Sequence, residues 1–483
     1  MSKDRVKMKN SMSLYMKRIA AGMSLASVVL LSGCGNDYKT YQDFEAPAQQ
    51  ASSLVPVDAY NTKEVKEYGN EGIRKDALGS AESEDGICKI ITYPDYYDVT
   101  LDYENATPEQ VGKAYADTIL RAFPDFEQLM EPYIYENIRM AFNGSGYKPE
   151  AVETRMYHLY EALPEEYKEE INGFATQMSQ GEKGFVENGK ISYEEAVIIQ
   201  MIPDALRPTA CSALSLWGEK TKSGAPITLR SLEWSLGSDN QMGMVNAVTH
   251  MKKGEQSLTT FGILGLLDVI SAVNDDGVFV AILDVGSSKN EPFVYENKKC
   301  YTFDIRYALE HYDNATEVGN YMVDNSGDYT WCHNLIITDE KHSYCAEDCV
   351  KEVADKGDGF SVLRDADTPL MEGLTWDSKD SLCVVNSFAT KGNQDSFLGS
   401  EGNIVRFEKY NKWVKEQDKF SVKDVKDMIT SEIANQYDVT TVHRVGGAQL
   451  IIVDYATGNV QVAFTGKDGL QDKPDFIDVG NYH

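Results

Sequence analysis

Apolar residues recur at helical spacing through one part of this chain and alternate with polar residues through the rest. From Thr107, the residues Val111, Tyr115, Ile119 and Ala122 fall on one stripe, with Thr107 as N-cap, Pro108 at the first helical position and Gln110 as capping-box partner. Val152, Met156, Leu159 and Leu163 predict a second helix, and Tyr167, Ile171, Phe174 and Met178 a third. Ser192 with Glu195 opens another, ending near Pro203. Ahead of these helices, Ile87 to Thr100 reads as β structure, an extra strand or a sheet edge. After them the period drops to two. Ala213, Ser215 and Trp217 lie on one side of a run, Leu214 and Leu216 on the other; Lys220 to Gly224 then turns the chain into Ile227 to Trp234. Two alternating runs joined by a Gly-containing loop predict a β-hairpin. Phe261 to Gly286 holds two strands about Asn274-Asp275-Asp276-Gly277, and Thr330 to Asp348 another pair. Ser421 and Asp424 open a helix to Ala434; strands Thr441 to Asp454 and Val460 to Phe464 then flank a Gly458-Asn459 turn.

The amino terminus does not read as part of the fold. Lys3, Arg5, Lys7, Lys9, Lys17 and Arg18 precede an apolar run from Ile19 to Leu31, then Leu31-Ser32-Gly33-Cys34. A basic leader and a short apolar core make a secretory signal, too short for a comfortable membrane span. The ending resembles a bacterial lipobox. That resemblance implies lipid on Cys34 and a membrane tether outside the cytoplasm; a plain signal peptide or a signal anchor are the alternatives. Residues 34–62, polar and interrupted by Pro47 and Pro56, read as a flexible tether.

A net charge of −30 excludes a nucleic-acid partner, whose phosphates would be repelled, and suits a soluble surface. Nothing in the sequence sets the oligomeric state. Of eight cysteines, Cys88, Cys300, Cys332, Cys345, Cys349 and Cys383 suffice for three disulfides of undetermined pairing, or are buried thiols. Cys332, His333, His342, Cys345 and Cys349 invite a zinc reading, but their spacings fit no zinc motif and neighbours on a strand face opposite ways. No metal and no cofactor are expected.

Chemistry gathers on the hairpin, where Cys211 heads the first strand and Arg230 and Glu233 end the second. A thiol, a guanidinium and a carboxylate are thereby expected to converge. This arrangement resembles the start of the mature chain in the N-terminal-nucleophile cysteine hydrolases, the group of choloylglycine hydrolase, penicillin V acylase, the C45 acyltransferases and acid ceramidase. There a Cys opens the first strand and Arg-x-x-Asp ends the second; here the second signature is Arg230-Ser231-Leu232-Glu233. The resemblance runs from Cys211 to the C terminus. It includes Ala272 to Gly277 for the family's Asn-containing turn, Leu382 to Phe388 with Asn386 at the oxyanion asparagine, and Asn403 to Arg406, which keeps the second arginine of an Arg-x-x-Arg stretch. Asp284 stands where bile-salt enzymes place a second oxyanion asparagine, and a carboxylate donates no hydrogen bond unless protonated.

The resemblance implies an α+β fold, an αββα sandwich of two stacked antiparallel sheets flanked by helices. Residues 211–483 would form the catalytic domain, and 63–210 a mainly helical pro-segment, with a freestanding helical interaction domain as the alternative. Cutting between Ala210 and Cys211 would free an α-amine that takes the thiol proton near neutral pH. Cys211 would then attack a linear, non-peptide amide of an N-acyl conjugate: bile salt, N-acyl amino acid or amine, or penicillin type. Arg230 would favour the thiolate, Glu233 orient the ammonium and Asn386 donate to the oxyanion, with Arg406, Asp284 and Trp217 on the substrate side. Plainer roles stay open: Cys211 as a structural cysteine, Arg230 and Glu233 as a strand-end ion pair, Asn386 as a turn former, Arg406 as a surface charge. The rival functions are a non-catalytic ligand-binding lipoprotein, favoured by Asp284 and Glu233, and transfer of the acyl group to an acceptor other than water.

Overall fold

The period-two half of the chain builds two sheets that lie face to face in the computed structural model. The structure describes residues 70–142, 148–206, 209–254, 256–285, 295–351, 361–393, 401–431, 433–434, 443–444, 447–466 and 474–482. The leader, Cys34 and the tether lie outside these residues. Before Cys211 come strands β1 (Gly79–Glu82), β2 (Cys88–Thr92) and β3 (Tyr97–Asp102). Helices α1 (Pro108–Ala122), α2 (Phe126–Ala141), α3 (Pro149–Glu161), α4 (Glu165–Ser179), α5 (Tyr193–Ile199) and α6 (Ile202–Leu206) follow. Then come β4 (Thr209–Leu216), β5 (Ile227–Trp234), β6 (Asn246–Lys252), β7 (Leu258–Ile263), β8 (Ser271–Asn274) and β9 (Phe279–Asp284). After α7 (Tyr301–His311) and α8 (Ala315–Asn325) run β10 (His333–Thr338), β11 (Ser343–Asp348), β12 (Val362–Arg364) and β13 (Ser381–Val385). The chain closes with α9 (Glu401–Glu416), α10 (Val422–Ile429), β14 (Gly447–Asp454), β15 (Asn459–Phe464) and β16 (Ile477–Asn481).

One sheet has six strands in the order β13-β4-β5-β14-β15-β16, so the predicted hairpin sits at its middle. The other has ten, β1-β2-β3-β6-β7-β8-β9-β10-β11-β12. Alternation sorts the side chains of the smaller sheet. Leu214, Leu216, Ile227, Leu229, Leu450 and Ile452 pack outward on Phe407, Tyr410 and Val414 of α9 and Val425 and Ile429 of α10. Cys211, Ala213, Leu232, Ile451 and Val453 turn inward and join the larger core. The outer face of the larger sheet is covered by α1, α7 and α8. The result is the α+β helix–sheet–sheet–helix sandwich that the resemblance implies.

Both expected capping boxes form, Thr107 with Gln110 and Ser192 with Glu195. Helix α4 lies across α1 at a contact only glycines allow: a Cβ on Gly112 would stand 2.0 Å from the carbonyl of Glu170, and one on Gly173 2.2 Å from that of Glu109. The stretch before Cys211 is not purely helical, however. Buried Val99 and Leu101 give β3 an inward face, and β3 pairs in parallel with β6 from Tyr97↔Ala247 to Asp102↔Lys252. Among the described residues no helix is long and apolar enough to cross a membrane.

Candidate active site

Cys211 is the third residue of β4, paired with Leu232 of β5 on one side and flanked on the other by the end of β13. Its sulfur turns into the space between the sheets and is fully buried. Two places along β5, Arg230 is on the same face because side chains repeat every second residue. Its Nη2 donates to Cys211 Sγ at 3.4 Å and to the carbonyl of Ile282, in the opposing sheet, at 3.1 Å. The guanidinium is fully buried, and its Nε and Nη1 meet no acceptor among the described residues. Burial raises the thiol pKa above its ordinary value; the charge of Arg230 opposes this most strongly, followed by a backbone hydrogen bond from Glu233. In the intact chain the proton therefore stays on sulfur.

The backbone of Cys211 is held separately. Asn386, one residue beyond β13, accepts the Cys211 N–H on Oδ1 at 2.7 Å. Arg406 reaches in from α9, donating to the Cys211 carbonyl at 3.0 Å, to Asn386 Oδ1 at 2.9 Å and to Asn403 Oδ1 at 2.5 Å. Two donors on one atom fix which end of the Asn386 amide is oxygen. Its nitrogen donates to the backbone carbonyl of Asp284 at 2.6 Å. Asn403 in turn donates to the Asn386 carbonyl at 2.9 Å and to Ser387 Oγ at 2.6 Å. The nucleophile's peptide N–H and C=O are thus both occupied by side chains from neighbouring elements.

Of the predicted site residues, Cys211, Arg230, Asn386 and Arg406 come together. Arg406 is no surface charge: it is 4% exposed and lies against the nucleophile's backbone, not at a distant substrate end. Glu233 is near but does not join the thiol's face. Three residues from Arg230 on a strand, it faces α9, and its carboxylate lies 3.5 Å from Arg406 Nη1. The expected single convergence of thiol, guanidinium and carboxylate is therefore split across the two faces of the sheet. Asp284 is at the site through its carbonyl, which takes the Asn386 bond. Trp217 is not brought in. It lies six residues along the chain from Cys211, about 20 Å at the rise of a strand, buried beside the Asp380 carbonyl. Asn403 was not read as part of the site; its i, i+3 spacing from Arg406 on a helix is the signal that points to it.

All seven described cysteines are buried, and among the described residues none of the predicted disulfides forms. Among these residues no group of His, Cys, Asp and Glu has a metal-ligating arrangement. His333 lies with its Nε2 3.1 Å from Asp348 and stacks on Tyr301, under α7 and away from the space between the sheets.

The four-layer sandwich, with a cysteine between a buried arginine and an asparagine, agrees with what the sequence's resemblance to the N-terminal-nucleophile hydrolases implies. No protein-family model matches the sequence, and no curated protein matches it. Among solved structures, the chain is similar to an N-acylethanolamine-hydrolyzing acid amidase ortholog from Caenorhabditis elegans, at 11% identity and a TM-score of 0.35 over 51% of this chain and 93% of that one. It is also similar to two variants of conjugated bile acid hydrolase from Clostridium perfringens. An arginine-to-leucine variant gives 11% identity and a TM-score of 0.36, covering 56% of this chain and 92% of the other. A cysteine-to-alanine variant gives 12% and 0.33 with the same coverage.

Proposed function

We propose that this protein is an autoprocessing thiol amidohydrolase that cleaves the C–N bond of a linear N-acyl amide. The observation that carries the reading is that Cys211 is gripped at both reacting positions, its sulfur by Arg230 and its N–H by Asn386, in a site closed to solvent. A structural cysteine needs neither contact.

In the first step Sγ attacks the Ala210 carbonyl carbon, the Ala210–Cys211 C–N bond breaks, and the thiol proton passes to the departing nitrogen. Water then hydrolyses the Ala210 thioester, leaving a carboxylate on Ala210 and a free amine on Cys211. In turnover that amine takes the thiol proton, and the thiolate adds to the substrate carbonyl. The ammonium returns the proton to the leaving amine, and water releases the acid from the acyl-enzyme. The Asn386 nitrogen is committed to Asp284 in the intact chain, so the unpartnered Nε and Nη1 of Arg230 are the buried donors open to a developing oxyanion. Glu233 acts through Arg406, which orients Asn386 and the Cys211 carbonyl.

The substrate class is a lipophilic N-acyl conjugate, and the leader and Cys34 support export with lipid anchoring at a membrane; both rest on the sequence resemblance. The test is intact mass and a denaturing gel of the purified protein, followed by a hydrolysis screen over bile-acid, N-acyl-amino-acid, N-acyl-amine and penicillin V amides. Two fragments meeting at Ala210/Cys211, absent from Cys211→Ala, are expected. A chain that stays whole, hydrolyses none of these amides and yet binds them would favour the ligand-binding lipoprotein instead.

A further inference from the structure

We infer that Asn334 of β10, with Glu347 beside it on β11, is the positioning residue that sets Asn386 against the nucleophile; this rests on the thiol amidohydrolase reading above. The ladder of β13 with β4 ends at Val385↔Ser212, so Asn386 lies one residue past it. The two carbonyls that flank Asn386, those of Val385 and Ser387, both accept from Asn334 Nδ2, at 2.9 and 3.0 Å. One amide nitrogen in the opposing sheet therefore holds the backbone on each side of the residue that accepts the Cys211 N–H. Two carbonyls around one atom identify that atom as nitrogen. The Asn334 oxygen is then buried, with no hydrogen-bond partner among the described residues. Asparagine serves here through its donors, at the expense of its acceptor.

Glu347 extends the same grip. In the β10–β11 register it stands opposite Asn334, so both side chains leave one face of the larger sheet. Its buried carboxylate takes four bonds. One oxygen accepts Arg364 Nε at 2.8 Å and the Ala389 N–H at 2.9 Å. The other accepts the Thr390 N–H and Asn393 Nδ2, each at 3.1 Å. Arg364, at the end of β12, donates from Nη2 to the Cys383 carbonyl at 2.8 Å. Five backbone groups between Cys383 and Thr390 are thus held by three side chains from consecutive strands of the larger sheet.

The grip matters because Asn386 works at short range, its Oδ1 meeting the Cys211 N–H at 2.7 Å and Arg406 at 2.9 Å. A displacement of about 1 Å at a reacting centre can cost about 100-fold in rate. The test is a double-mutant cycle on self-cleavage, read as the appearance of the two fragments after synthesis. Asn334→Leu, close in volume but without donors, is expected to slow cleavage about 10- to 100-fold, the range for losing a partner that orients an active group. In Asn386→Asp the same change should slow cleavage less than about 3-fold further, because the residue it positions is already altered. Equal slowing in both backgrounds would overturn the inference. Asn334→Ser keeps one donor and adds no bulk, so it should recover part of the rate; it also replaces leucine in the cycle should that variant not fold. A serine variant as slow as leucine would place the effect in packing. On any amide that the wild type hydrolyses, kcat should fall with KM unchanged, and a rise in KM alone would count against positioning.

A second measurement needs no chemistry, so it separates failure of this inference from failure of the amidohydrolase reading. In the full-length Cys211→Ala chain, hydrogen exchange read by mass spectrometry follows a peptide from the start of β4. Adding Asn334→Leu should expose one more amide there, that of residue 211, while peptides of β5 and β14 keep their protection. Unchanged exchange at β4 would refute the positioning role whatever the activity of the wild type. Faster exchange in all three strands would refute it too, by showing that Asn334 only supports the packing of the sheets.

Discussion

The side-chain oxygen of Asn386 accepts the backbone N–H of Cys211 at 2.7 Å while its nitrogen donates to the carbonyl of Asp284 at 2.6 Å. One amide thus ties the nucleophile's strand in the smaller sheet to β9 in the larger. Asn386→Asp keeps the acceptor but turns the donor into an oxygen facing the Asp284 carbonyl. Self-cleavage is expected to slow about 10²- to 10³-fold, the range for losing one preorganised polar contact at a reacting centre. The appearance of the two fragments after synthesis measures it, and a wild-type rate would take Asn386 out of the machinery.

Arg406 makes its contacts with Cys211, Asn386 and Asn403 through a planar fork that a lysine ammonium cannot reproduce. Arg406→Lys is expected to impair cleavage nearly as much as Arg406→Ala. The alanine change also takes the cation away from buried Glu233, at a cost of about 3–5 kcal/mol in unfolding free energy. Pairing Arg406→Ala with Glu233→Gln should recover part of that loss, because the two side chains are in contact. Urea unfolding of the four proteins decides it; strictly additive losses would mean that Glu233 is not held through Arg406.

Much of this arrangement was legible beforehand, and the rest was hidden for definite reasons. The hairpin that carries Cys211 and the capping boxes at Thr107 and Ser192 depend on neighbours close in sequence. Helix α2 escaped notice because Pro132 breaks its pattern and Asp125 makes no side-chain capping bond. Helix α9 is not among the predicted elements, although Asn403, Arg406, Phe407 and Tyr410 repeat every three to four residues. Expecting Arg230 and Glu233 to converge overlooked the period of a strand, on which i and i+3 face apart. The bond from Arg406 to the Cys211 carbonyl joins residues separated by 195 positions, and no local pattern records it.

Arg230 is the strongest influence opposing the upward push of burial on the Cys211 thiol. Replacing it with glutamine should raise the pKa of that thiol further, because an adjacent positive charge favours the thiolate. In the processed enzyme, the pH at half-maximal alkylation by iodoacetamide should move up accordingly. In unprocessed protein alkylation should be slow at any pH, because the sulfur is closed to solvent. Coincident pH profiles for wild type and Arg230→Gln in the processed form would show that the guanidinium does not act on the thiol.

Asp204 carries the clearest pH dependence. Burial pushes its carboxyl up from the ordinary aspartate value to about 7, against hydrogen bonds from Thr302 and Tyr301 and the charge of His333. Because the folded value lies above the unfolded one, the stabilising contribution is complete below the unfolded value and is lost as pH rises through about 7. A shift of this size corresponds to on the order of 4 kcal/mol. Asp204→Asn has no charge to bury at any pH and keeps an oxygen to accept the Tyr301 N–H. Relative to this variant, the wild type should lose unfolding free energy steadily from about pH 4 to about pH 8 and nothing further above that. Urea unfolding of both proteins across that range gives the difference directly, and parallel curves would mean that Asp204 is ionised in the folded chain throughout.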